Sequence, residues 1–208
     1  MPHVQIVYLM NTALQVFMCF CFAVRHHPAM KYAAPVRKAL GVRTIFNLLG
    51  PLTNPAGADR QVMGVFDAAW VEPIAEVLAA LGARRAMVVH ADDGLDEIST
   101  TAATKIADAV DGQVTCRTVR AEDFGLPPAS LADLAISSPE ESAERIKAVL
   151  EGAAGADRDI VALNAAAALT VAGKADDIAA AVPLAAESID SGAARRALEK
   201  LIEVSNSG

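Results

Sequence analysis

The sequence predicts an α/β protein built on a mixed, largely parallel sheet flanked by helices. Two apolar runs, Gln61–Phe66 (QVMGVF) and Arg85–Ala91 (RAMVVHA), bracket a helical stretch at Pro73–Leu81, and strand, helix, strand is the unit that pairs strands in parallel. Two further β-rich runs, Thr104–Ala109 and Val114–Val119, lie on either side of an Asp111-Gly112 turn and continue the sheet. From Pro139 the pattern becomes helical and rich in alanine, the best intrinsic helix former.

Taken in order, the chain opens with 21 uncharged residues, Val4–Val24, long enough to cross a bilayer as a helix. Gln5, Asn11, Thr12 and Gln15 interrupt this run, and no basic stretch or small-residue cleavage pattern accompanies it, so a helix buried in a protein core is the expected reading and a membrane contact is not. Between Ala34 and Gly57 the residues Pro35, Gly41, Gly50, Pro51, Asn54, Pro55 and Gly57 predict a series of turns. Pro73 opens the first helix and Gly82 closes it. Leu126-Pro127-Pro128 marks a loop, after which helices are expected at Pro139–Glu151, capped by Ser138, at Asp159–Ala172, stopped by Gly173, and across Ala175–Val204.

Composition narrows the classes of function. With 53% hydrophobic and 21% charged residues among 208, the chain has ample material for a core and none of the character of a disordered one. Three cysteines, Cys19, Cys21 and Cys116, do not make a disulfide framework, which points to a reducing compartment and a cytoplasmic location. A net charge of −7 argues against a nucleic-acid partner. The stretch from Arg25 to Arg43 nevertheless contains no acid, and reads either as a small-anion site or as a solvated positive face.

Four segments could carry chemistry. Asp92-Asp93-Gly94-Leu95-Asp96-Glu97 follows the run RAMVVHA directly, and the carboxyl ends of strands are where α/β sheets bind ligands. Adjacent carboxylates such as Asp96 and Glu97 suit Mg²⁺, which takes one or two protein ligands and fills its other positions with water and phosphate oxygens; the same residues also read as an ordinary acidic turn. His26-His27 are adjacent, which rarely suits one metal, and with Cys19-x-Cys21 they lack zinc-finger spacing; they could shape a pocket or simply pack. Arg37, two residues after Pro35, offers a guanidinium fork for a carboxylate, or else plain surface charge. Asn47–Pro55 (NLLGPLTNP) holds its backbone stiffly, as a pocket wall requires. His3 and His90 read as structural. No P-loop, dinucleotide fingerprint or hydrolase elbow occurs.

In this order, HHPAM, PVRKALGVRTIFNLLGPLTNP, DDGLDEIST and LNAAAAL resemble the anthranilate phosphoribosyltransferases of tryptophan biosynthesis, from about residue 20 to 205. The resemblance implies the C-terminal α/β fold shared with nucleoside phosphorylases. It also implies a pentosyltransferase that joins phosphoribosyl pyrophosphate to the amino group of anthranilate with release of pyrophosphate. It places Arg37 on the anthranilate carboxylate, with His27, Gly50 and Pro51 lining the same channel, and it gives Mg²⁺ to Asp96 and Glu97. No covalent catalytic residue is assigned.

The resemblance is to part of the family pattern. The Gly-Thr-Gly-Gly-Asp phosphate loop and Lys-His-Gly-Asn segment that precede HHPAM in the family do not occur here, so residues 1–19 are expected to stand apart from a domain spanning 20–208. A chain without that loop is expected to bind phosphoribosyl pyrophosphate weakly and to be little active alone. Apolar surface next to the missing region would favour association, as a homodimer or otherwise. The alternative is a non-catalytic binding or membrane-tethered module on the same fold.

Overall fold

The computed structural model describes residues 46–53 and 57–206, together with Tyr32, Pro35, Ala39 and Gly41. The chain separates into two compact units, one of Ala58–Ala193 and one of Met1–Gly57 with Ala194–Gly208.

Among the described residues the larger unit is a four-stranded sheet with helices on both faces. Strands β1 (Arg60–Gly64), β2 (Arg85–Ala91), β3 (Thr104–Val110) and β4 (Gln113–Val119) lie side by side in chain order. The β1–β2 pair is parallel, as the intervening helix requires. Among the described residues the sheet is mixed as expected, but its balance there differs from a largely parallel one, because β2–β3 and β3–β4 are both antiparallel. The segment after β2 is a loop without a crossover helix, and the two-residue turn Asp111-Gly112 can only return the chain alongside itself.

Pleating divides β2 between two cores. Met87 and Val89 belong to a cluster with Ile98, Ile106, Leu163, Ala166 and Ala167. Ala86 and Val88 point the other way, towards the helix α2 (Val71–Ala80), whose Val71, Ile74, Ala75 and Leu78 are buried. Burial on both faces is why RAMVVHA is an unbroken apolar run and not an alternating one.

The first strand is shorter than its sequence signal. Pairing continues to Val65, whose N–H donates to the Val89 carbonyl at 3.0 Å, and the chain then turns at Asp67, which caps a short 3-10 turn at Ala68–Trp70. The later helices are α3 (Leu131–Leu134), α4 (Pro139–Leu150), α5 (Ala156–Val171) and α6 (Ile178–Asp190). Ser138 caps α4 as expected, accepting from the Glu141 N–H at 3.1 Å. Helix α5 begins three residues before its predicted start and packs on β1 and β2. The single helix expected over Ala175–Val204 is divided, α6 ending where Gly192 takes a φ of 70° that only glycine adopts readily.

In the second unit, α1 (Phe46–Leu52) and α7 (Ala193–Ser205) are helical. Residues 47–52 are therefore not the rigid turn that their Gly and Pro suggested. Pro51 sits in the last turn of α1, and the Thr53 hydroxyl closes that end by donating to the Leu49 carbonyl at 2.7 Å. Val4–Val24 lies outside the described residues, and among the described residues no helix is long and apolar enough to cross a membrane.

Candidate functional site

The loop from Asp92 to Ala103 leaves the carboxyl end of β2 and returns as β3. Its four carboxylates are not equivalent. Asp93 is turned inward, with Oδ1 accepting from the Leu95 N–H at 3.1 Å and Oδ2 from the hydroxyls of Ser99, at 2.6 Å, and Thr101. Partial burial opposes its ionisation, but these hydroxyls and the Leu95 N–H outweigh it and hold the Asp93 carboxyl below its ordinary range. Asp93 is thus a structural acid.

Asp92 is exposed at the end of β2 and, among the described residues, joins no cluster of three or more His, Cys, Asp or Glu that could hold a metal; Asp96 and Glu97 remain. Both side chains are exposed at the loop's outer turn, and among the described residues their carboxylates accept no hydrogen bond and form no ion pair. Glu97 also borders a cavity of about 360 Å³ whose walls include Leu95, Leu134, Ile146 and Val149. Partial burial desolvates the carboxyl and, with the neighbouring Asp96 charge, pushes its pKa up. Two hard oxygen donors whose negative charges repel are what a small divalent cation would relieve. Among the described residues no third His, Cys, Asp or Glu joins them to form an all-protein cage, so the donor set fits Mg²⁺ that keeps water and phosphate ligands.

The surroundings hold residues that the sequence reading did not single out. Asn164, on α5, accepts from the Ile98 N–H and donates to the Ile98 carbonyl, both at 2.9 Å, and donates also to the Ile160 carbonyl at 3.0 Å. Gly64 lies against the main chain of Asp96. Each had a signal: a glycine within an apolar strand marks a close backbone approach, and a lone amide in an alanine run is a poor helix former without some other task. His90 is structural as expected, its Nδ1–H donating to the Val65 carbonyl at 2.8 Å.

The structure brings together Asp96 and Glu97 in one turn. Gly50 and Pro51 lie half-buried in α1, with open space where a Cβ of Gly50 would stand among the described residues. Arg37 and His27 lie outside the described residues.

A family profile described as "Glycosyl transferase family, a/b domain" matches residues 9–195. The chain belongs to that family. Within this glycosyl transferase family, the anthranilate phosphoribosyltransferase of Rhodospirillum rubrum is 55% identical over 185 residues, which cover 89% of this chain and 53% of the relative. The solved anthranilate phosphoribosyltransferase of Thermus thermophilus superposes with a TM-score of 0.88 at 41% identity, over 95% of this chain and 58% of that one. The Saccharomyces cerevisiae anthranilate phosphoribosyltransferase, solved in complex with PRPP and Mg, gives 0.78 at 28% identity, over 88% and 53% of the two chains. The resemblance carried by HHPAM and NLLGPLTNP is therefore borne out by relatives along most of this chain. The chain spans just over half the length of those relatives.

Proposed function

We propose that this chain carries the metal-binding and anthranilate-binding part of a phosphoribosyl transfer site, serving the step of tryptophan biosynthesis that joins phosphoribosyl pyrophosphate to anthranilate. The observation that carries this reading is the free Asp96-Glu97 pair at the carboxyl end of β2, in a chain whose relatives are anthranilate phosphoribosyltransferases.

In this reading Asp96 and Glu97 hold Mg²⁺ through their carboxylate oxygens. Bound there, the ion supplies positive charge against a departing pyrophosphate. Arg37 takes the anthranilate carboxylate in its guanidinium fork, orienting the amine. His27, Gly50 and Pro51 line the passage for the aromatic ring. Transfer then rests on holding amine and sugar in line and on stabilising the leaving charge, without a covalent protein nucleophile.

Loss of anthranilate fluorescence on mixing with phosphoribosyl pyrophosphate and Mg²⁺ tests the reading, in this chain alone and with the N-terminal part of a relative added. Fluorescence loss in either case that vanishes in Asp96→Asn is the expected result. A steady signal in both, from folded protein, would overturn it.

A further inference from the structure

We propose that Gly64 and Asn164 are positioning residues that set the geometry of the Asp96-Glu97 pair, an inference that rests on the metal reading above. Gly64 has no side chain, and the Asn164 amide bonds to the backbone of Ile98 and Ile160. Both act through the main chain of the loop, from positions 100 residues apart in the chain.

The two carboxylates stand between fixed points. On one side, the Leu95 carbonyl accepts from the Ala91 N–H at 2.9 Å, tying the turn to the end of β2. On the other, both polar groups of the Ile98 backbone are held by the single amide of Asn164, while the Ile98 side chain is fully buried. The Asn164 amide is itself fixed by the Ile160 carbonyl one turn earlier in α5. Asp96 is set from below, because a Cβ on Gly64 would stand 1.7 Å from the Asp96 carbonyl oxygen and 2.9 Å from the Asp96 Cβ. Any side chain at position 64 must therefore move the Asp96 backbone. The strand β1 supplies the floor, the helix α5 supplies the clamp, and only Asp96 and Glu97 lie between them.

Positioning of this kind is read in cation affinity and in local exchange, not in stability alone. Mn²⁺ titration followed by electron paramagnetic resonance, on the full chain, compares wild type with Gly64→Ala, Asn164→Ala and Val171→Ala, the last a buried position at the far end of α5. Loss of partners that orient metal ligands weakens binding by about 10–100-fold, and that loss is expected in Gly64→Ala and Asn164→Ala, with Val171→Ala binding as wild type does. Amide exchange at Ile98 should accelerate in Asn164→Ala. Should Gly64→Ala fail to fold, Asn164→Ala carries the test. Equal Mn²⁺ affinity in Asn164→Ala and wild type, or a loss no greater than in Val171→Ala, would overturn the proposal. If wild type and Asp96→Asn bind Mn²⁺ alike, the metal reading falls by itself, and Ile98 exchange then decides: faster exchange in Asn164→Ala sustains the clamp, and unchanged exchange removes it.

Discussion

Asp93 and Glu97 occupy one loop and are driven in opposite directions. Glu97 has its pKa raised in the folded chain by partial burial and by Asp96, so its stabilising contribution is complete below the unfolded carboxyl range, at about pH 4, and is lost as pH rises through the folded value. Near neutral pH the ionised side chain is a liability that a divalent cation removes. Glu97→Gln should accordingly raise the melting temperature near neutral pH without added cation, and abolish the further rise that Mg²⁺ gives wild type; a Mg²⁺ effect undiminished in the variant would contradict this. Asp93, although partly buried, is depressed by Ser99, Thr101 and Leu95, so the sign reverses: its contribution is present above about pH 4 and fades as pH falls through the folded value. Acid denaturation curves of Asp93→Asn should be flatter over that window than those of wild type, with a lower melting temperature near neutral pH. Of this residue-scale detail the sequence shows the acidic cluster and its place after a strand. It does not show which acids are spent inside the loop, because that depends on hydroxyls further along the loop curling back onto one carboxylate.

Among the elements, α5 does the most to position the site. The Leu163, Ala166 and Ala167 side chains are fully buried against the sheet core, so the alanine run is more than a matter of helix propensity: small side chains let the helix lie close enough for Asn164 to reach Ile98. Ala167→Leu should therefore cost about 1–3 kcal/mol of stability through overpacking, measured by urea denaturation; an unchanged midpoint would mean that the helix has room to retreat. Strands β2, β3 and β4 and helix α4 are legible in the sequence, since each has a clear period or cap. Two elements are not. Helix α1 contains Gly50 and Pro51, residues whose local preference is for turns, and the expected 175–204 helix is divided at Gly192, which follows the polar residues Asp190 and Ser191. Local propensity is a weak guide where packing decides.

The larger unit is closed by a contact between its first strand and the last core-facing turn of α5: Arg60 Nη1 donates to the Val171 carbonyl at 2.6 Å across 111 residues. The guanidinium there satisfies a helix carbonyl that has no partner within the helix and meets the negative end of the helix dipole. Arg60→Met keeps most of the stem's apolar contact and removes the charge, and should cost about 1–3 kcal/mol, read as a lower midpoint of one cooperative transition; no shift would show that water replaces the bond at no cost. A second tie, the Arg158 fork on Asp190 at 2.7 and 2.8 Å, joins α5 to α6. The amino-acid sequence by itself determined the α/β class, the parallel β1–β2 pair, the family resemblance and the Asp96-Glu97 candidate, because periodicity, caps and short motifs are local properties of a chain. Only the tertiary structure decided that Asp93 is structural, that β2 and β3 run antiparallel, and that Gly64 and Asn164 meet the same loop. Those outcomes are set by the approach of segments far apart in the chain, through close backbone contacts and hydrogen bonds that no local pattern encodes.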